Sequence, residues 1–179
     1  MELTDEAGKG PLCAVARDWE MMPSKSLGQT LIRSAARIAG PLNRHELAKR
    51  VARGEEDASR AGERQGFSDL VRPEGLLIWF HVQGFADALK LNGTIGQLRL
   101  ELPEVSFLVT TQDQVQDFIF VLRMPAMVLH QYAPLDDPNV VERFLDHWRP
   151  DLSVWVSDAL HPVMNTEVAA REIPSILAN

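Results

Sequence analysis

A chain of 179 residues with 45% hydrophobic and 24% charged side chains has room for one ordinary domain with a short appendage. Its formal charge of −7 argues against general nucleic-acid binding, and the single cysteine, Cys13, rules out an internal disulfide framework. There is no apolar run of about 18 residues to span a bilayer, and the acidic, polar start MELTDEAGKG is not a secretory signal.

The charge is unevenly placed. Residues 25–53 hold seven basic side chains (Lys25, Arg33, Arg37, Arg44, Lys49, Arg50, Arg53) against Glu46 alone, whereas residues 54–179 hold nine basic and nineteen acidic ones. A basic segment ahead of an acidic domain suggests an anionic partner for that segment. The competing explanation is that this segment packs on the acidic domain behind it.

In chain order, residues 1–23 lack periodicity and read as a flexible lead-in. Residues 24–70 form a basic helical segment. Leu27, Leu31, Ala35 and Ile38 recur at helical spacing, with Lys25, Arg33 and Arg37 off that stripe. Gly40-Pro41 is expected to stop this helix, and a second short helix covers 43–52 with Leu47 and Val51 on one face. EEDASRAGERQG is a polar stretch, helical in part, and LVRPEG (70–75) is a loop.

From residue 71 the chain alternates. Strands are expected at LLIWFH (76–81), VSFLVTT (105–111), AMVLHQY (126–132), LSVWV (152–156) and SILAN (175–179). Helices are expected at 85–101, 113–123, 138–148 and 163–171, with Pro138 opening the third. Apolar strands alternating with amphipathic helices imply α/β: a Rossmann-like parallel sheet of about five strands covered on both faces.

In such sheets ligands bind at the carboxyl ends of the strands. That rim is readable: His81, Gln83, Gly84 and Asp87 follow strand one, Thr110 to Asp113 strand two, His130 to Asp136 strand three, and Asp158 and His161 strand four. Each has a plain structural alternative. A histidine at a strand end is often a hydrogen-bonded cap, and Asp87 and Asp113 suit the dipole of a helix N-terminus. Asp136-Asp137-Pro138 suits a cap before a first-turn proline. A zinc site from His81, His130 and His161 lacks short paired-ligand spacing, so no metal or cofactor is expected. P-loop, GxGxxG and GxSxG patterns are all missing.

LIWFHVQGFADAL, LVTTQ, HQYAPLDDPNVVERFLDHWRPDLSVWV and IPSILAN resemble the N-terminal domain of 3-deoxy-D-manno-octulosonic acid (Kdo) transferase, from about Ser24 to Asn179. The resemblance implies one half of a GT-B architecture, an inverting glycosyltransferase built from two Rossmann-like domains. It implies transfer of Kdo from CMP-Kdo to lipid A in lipopolysaccharide biosynthesis, at the cytoplasmic face of a Gram-negative inner membrane, with no nucleic-acid partner. It casts Asp87 as candidate base and His81, Gln83, Gly84, His130, Asp136, Asp158 and His161 as acceptor-binding residues. It casts Arg33, Arg37, Arg44, Lys49, Arg50 and Arg53 as contacts to an anionic membrane surface.

The departures lie in the site. The family has a glutamate where this chain has Asp87, whose reach is shorter by roughly 1.5 Å, and misplacement of about 1 Å can cost about 100-fold. A motif after strand four, roughly Glu-Ser-Glu-Leu-Trp-Pro-Asn in the family, reads SDALHPV here, so His161 stands in place of tryptophan. With no second Rossmann domain in 179 residues, the chain is expected not to transfer Kdo by itself, and CMP-Kdo binding is expected only if that domain is supplied. The alternative is a non-catalytic relative acting as a binding or regulatory module at an anionic lipid surface, or in the cytoplasm.

Overall fold

A computed structural model describes residues 27–112, 128–156 and 161–178. The expected lead-in (1–23), the helix at 113–123 and the Asp158 segment lie outside these residues. The described elements are α1 (Leu27–Ala52), α2 (Ala61–Arg64), β1 (Leu77–Val82), α3 (Phe85–Glu101), β2 (Ser106–Thr111), β3 (Val128–Tyr132), α4 (Pro138–Trp148), β4 (Leu152–Val156), α5 (Pro162–Ala170) and β5 (Ser175–Leu177).

All five strands are parallel, in the order β3-β2-β1-β4-β5. β1 is central and buried on both faces, which is why LIWFHV is apolar throughout rather than alternating. Its residues nevertheless divide by parity. Leu77 and Trp79 join Val141, Phe144, Trp148, Trp155 and Met164 in a core beneath α4 and α5. Phe80 and Val82 join Ala88, Leu91, Ile95 and Val109 in a second core beneath α3. His81 shares the parity of Trp79 and so faces α4 and α5. The chain moves outward from β1 in both directions, and the order reverses between β1 and β4. The carboxyl ends of those two strands therefore form the topological switch point, where ligands of open α/β sheets lodge.

α4 shows how local chemistry sets an element. Asp137 is its N-cap and accepts a hydrogen bond from Asn139 N (2.9 Å), with Pro138 in the first turn. Trp148 closes its inner face and donates Nε1–H to Gln131 Oε1 (2.7 Å), while Gln131 donates to the Phe67 carbonyl (3.1 Å). Gly66, at φ +81, turns the chain directly against α4, where a Cβ would collide with the Val140 carbonyl.

α1 corrects two expectations. Gly40-Pro41 does not stop the helix, which runs unbroken from Leu27 to Ala52 with Pro41 inside it. Proline in a helix interior costs about 3 kcal/mol, but Pro41 is exposed, so its ring faces water. Gly40 is buried against Asp137, where a Cβ would collide with the carboxylate. That close approach carries the helix through.

The second correction concerns facing. The inward face of α1 carries Arg33, Ala36, Gly40, Asn43 and Leu47, whereas Leu31, Ala35, Ile38 and Leu42 point outward. The basic residues mostly meet acids of the same chain. Arg33 pairs with Glu167 (3.1 Å), Arg44 with Asp137 (3.1 Å) and Arg50 with Glu56 (2.6 Å), and all three carboxylates are buried. Lys49 lies 3.9 Å from Glu46, and Arg53 pairs with Glu46 (3.2 Å) and Glu55 (2.8 Å). Unpaired buried carboxylates are costly, and the excess positive charge of residues 25–53 answers them.

Candidate active site at the β1–β4 switch point

His81 sits one residue before the end of β1 and is 1% exposed. Its Nδ1 lies 3.0 Å from Thr110 Oγ1, which also accepts from Trp79 Nε1 (2.8 Å). This pair of bonds holds the ring in one orientation. On its other edge, Nε2 is buried without a hydrogen-bond partner among the described residues. His161, the residue before α5, meets His81 edge to face with ring centres 4.7 Å apart, and its Nε2 is likewise unpartnered. Trp155 borders both rings.

Burial pushes the His81 pKa down to about 3, helped by His161 and by the Arg64 guanidinium. Burial also lowers His161, opposed by the Asp136 carboxylate. Two neutral imidazoles therefore offer ring nitrogens at the switch point, suited to exchanging hydrogen bonds with a hydroxyl-bearing ligand.

Asp136 supports this corner indirectly. Its carboxylate accepts from Val163 N (3.2 Å) and Met164 N (2.9 Å), capping α5 and setting the position of His161. Gly84 is the buried N-cap of α3, in extended conformation, and Gln83 precedes it, half-buried. Asp87 lies in the first turn of α3, 31% exposed. Its carboxylate pairs with Lys90 at 2.8 Å.

His130 does not join this corner. It sits on edge strand β3, with Nε2 3.0 Å from Thr111 Oγ1 and Nδ1 3.3 Å from Arg60, and its ring meets Tyr132 edge to face. Burial and the guanidiniums of Arg60 and Arg64 push its pKa down to about 3. The rim thus splits into a β1–β4 corner (His81, His161, Asp136) and a β3 edge (His130). Among the described residues, no three His, Cys, Asp or Glu side chains cluster as metal ligands.

Between the two stands Arg64, which the sequence left inside a polar stretch. It is 3% exposed, and its guanidinium donates to the carbonyls of Thr111 (3.3 Å), Gln112 (2.6 Å) and Ala133 (3.2 Å). It also faces Glu56 at 3.4 Å and lies over the Tyr132 ring. Arg64 therefore ties the carboxyl ends of β2 and β3 together. The one signal for it was a lone arginine in GERQG followed by a glycine turn, too slight to separate from a solvated helix.

The family model of 3-deoxy-D-manno-octulosonic-acid transferase (kdotransferase) matches residues 57–179. The chain is 32% identical over 149 residues to a probable 3-deoxy-D-manno-octulosonic acid transferase, mitochondrial, of Arabidopsis thaliana, covering 83% of this chain and 33% of that protein. It is 29% identical over 130 residues to the 3-deoxy-D-manno-octulosonic acid transferase of Rickettsia bellii, covering 73% and 31%. With the enzyme of that name from Haemophilus influenzae it shares 27% over 123 residues, covering 67% and 28%. The chain spans about a third of the length of these relatives. No solved structure matches it. A five-stranded parallel sheet carrying this match over most of its length places the chain in the Kdo transferase family, as its N-terminal domain.

Proposed function

We propose that this chain is the acceptor-side half of a Kdo-transferring glycosyltransferase, holding a lipid A-type acceptor at the β1–β4 rim while CMP-Kdo is bound by a separate Rossmann-like domain. The observation that carries this reading is the His81–His161 corner. Two neutral, buried imidazoles with unpartnered ring nitrogens stand at the switch point of a family-matched sheet. Gln83, Gly84 and Asp136 belong to the same rim in this proposal, His130 borders it from β3, and Asp158 is assigned to acceptor binding by the family resemblance alone.

In the inverting reaction the acceptor hydroxyl oxygen forms a bond to the anomeric carbon of Kdo as the bond from that carbon to the CMP phosphate oxygen breaks. The hydroxyl proton goes to Asp87, and CMP leaves with the electron pair. Lys90 engages one oxygen of the Asp87 carboxylate, Oδ1, and the proton goes to the other. Without a donor domain the chain does not transfer Kdo.

The Asp87–Lys90 pair also favours a second reading, a non-catalytic relative that keeps acceptor or lipid binding and has lost the base. Transfer assays with a separately supplied donor-side domain of a relative separate the two. The enzyme reading expects transfer that falls at least about 100-fold in Asp87→Asn. Transfer unaffected by Asp87→Asn removes the base from the mechanism, and no transfer with any donor domain favours the binding module.

A further inference from the structure

The sheet register places a short chain of buried donors and acceptors behind the β1–β4 corner. Thr110 stands beside His81 across the β1–β2 register, and Trp79 lies two residues before His81, on the same face of β1. All three side chains are closed to solvent. Trp79 Nε1–H reaches Thr110 Oγ1 at 2.8 Å, and the same oxygen lies 3.0 Å from His81 Nδ1. An indole nitrogen only donates, whereas a hydroxyl has one hydrogen to give and two lone pairs to receive with. The Thr110 hydroxyl hydrogen therefore has a single acceptor among the described residues, His81 Nδ1. Were Nδ1 to carry the proton, two N–H groups would point at one oxygen, and the buried hydroxyl hydrogen would be left unpaired at a cost in free energy.

We propose that the Trp79–Thr110 relay fixes His81 as the Nε2–H tautomer, which makes it a hydrogen-bond donor into the corner, selective for a ligand oxygen with a free lone pair. The proposal deepens the acceptor-side reading and rests on it for the place of the ligand. Trp79 and Thr110 act through His81, as positioning residues. Burial pushes the His81 pKa down to about 3, so the ring carries one proton and its tautomer decides what it can do.

Nε2 is buried and has no hydrogen-bond partner among the described residues. His161, with ring centres 4.7 Å away, is held by no hydrogen bond to a described residue, so it can turn aside for a ligand and adopt either tautomer. One ring of the pair is thus preset and the other adapts. A phosphate, carboxylate or hydroxyl oxygen fits the preset donor. A cation does not, since an Nε2 that carries hydrogen has no lone pair to offer, and for the same reason Nε2 does not act as a base.

The test is an imidazole nitrogen–proton correlation spectrum of the nitrogen-labelled full chain at neutral pH, with the His81 signals identified by their loss in His81→Phe. The expected result for the parent is a single tautomer, protonated at Nε2 and bare at Nδ1. Thr110→Val keeps the shape and removes the hydroxyl, so both tautomers appear, whereas Thr110→Ser keeps the Nε2–H form. Thr111→Val, at a hydroxyl that borders His130 instead, leaves the His81 signals in the Nε2–H form. Capture of detergent-dispersed lipid A weakens roughly two- to tenfold in Thr110→Val, the range for one neutral hydrogen bond, and recovers in Thr110→Ser.

A parent chain with Nδ1 protonated, or with mixed tautomers, overturns the proposal whether or not any variant folds. So does a folded Thr110→Val that stays wholly Nε2–H, or one that shows both tautomers yet captures lipid A as tightly as the parent. A parent in the Nε2–H form that captures no lipid A defeats the acceptor-side reading and leaves the tautomer assignment standing. Capture by a parent in the Nδ1–H form defeats the tautomer assignment alone.

Discussion

Acidification should destabilise this domain through His81. The imidazole is 1% exposed, bonded to Thr110, packed by Trp79 and Trp155, and faced by His161 and the Arg64 guanidinium. Its folded-state pKa of about 3 lies below the unfolded value near 6.5. A depressed pKa means that the unfolded chain takes up the proton first. The contribution of His81 to stability is therefore complete above pH ~6.5 and is lost as pH falls toward 3. Between pH 7.5 and 5 the linkage amounts to about 2 kcal/mol for this one residue. His130 and His161, also shifted down, act in the same direction. Urea titrations across that range should show the loss, and His81→Phe, which cannot titrate, should show a pH dependence flatter by about 2 kcal/mol. Parallel curves for the two proteins, or an NMR titration of His81 near pH 6.5, would refute the assignment.

Gly40→Ala sets a helix-propensity gain of up to ~1 kcal/mol against collision with the capping carboxylate of Asp137, a cost of ~2–3 kcal/mol, so a net loss of about 1–2 kcal/mol is expected. Thermal melts should fall by roughly 3–8 °C; an unchanged or raised melting temperature would show that Asp137 moves aside freely. Arg64→Met leaves the carbonyls of Thr111, Gln112 and Ala133 without their guanidinium donor and removes the Arg64–Glu56 ion pair. Breaking such a buried network costs about 3–5 kcal/mol, so the variant should be largely unfolded or strongly shifted in urea. A loss below ~1 kcal/mol would mean that the network contributes little.

The sheet was legible because burial on both faces writes itself as continuous apolar runs, and β1, β2 and β4 lie where LLIWFH, VSFLVTT and LSVWV stand. α4 was legible because Asp137-Pro138 is a local start signal that its capping geometry then uses. α1 was not, because Gly40-Pro41 has two physical uses that look alike in sequence. Locally the pair breaks a helix. Here glycine permits close approach to Asp137 and proline faces water. Periodicity located the stripe of Leu31, Ala35 and Ile38 but carries no sign for inside or outside. That choice was made by buried acids that pair with the helix, Glu167 and Asp137 far along the chain with Arg33 and Arg44, and Glu56 just after the helix with Arg50. The rim was legible as a set of residues and not as a grouping. His81 and His161 meet because β1 and β4 are neighbours, while His130 is carried to the sheet edge on β3. Arg64 escaped because apolar periodicity is blind to a charge buried among carbonyls.

The acceptor-side assignment is tested most directly by titrating detergent-dispersed lipid A into isotope-labelled chain and following amide and imidazole signals. Saturable shifts at His81, Gln83, Gly84 and His161, weakened in His161→Ala while the fold is kept, are the result this account predicts. Absence of saturable binding, or shifts confined to the far end of the sheet around Arg72 and Asp151, would contradict it.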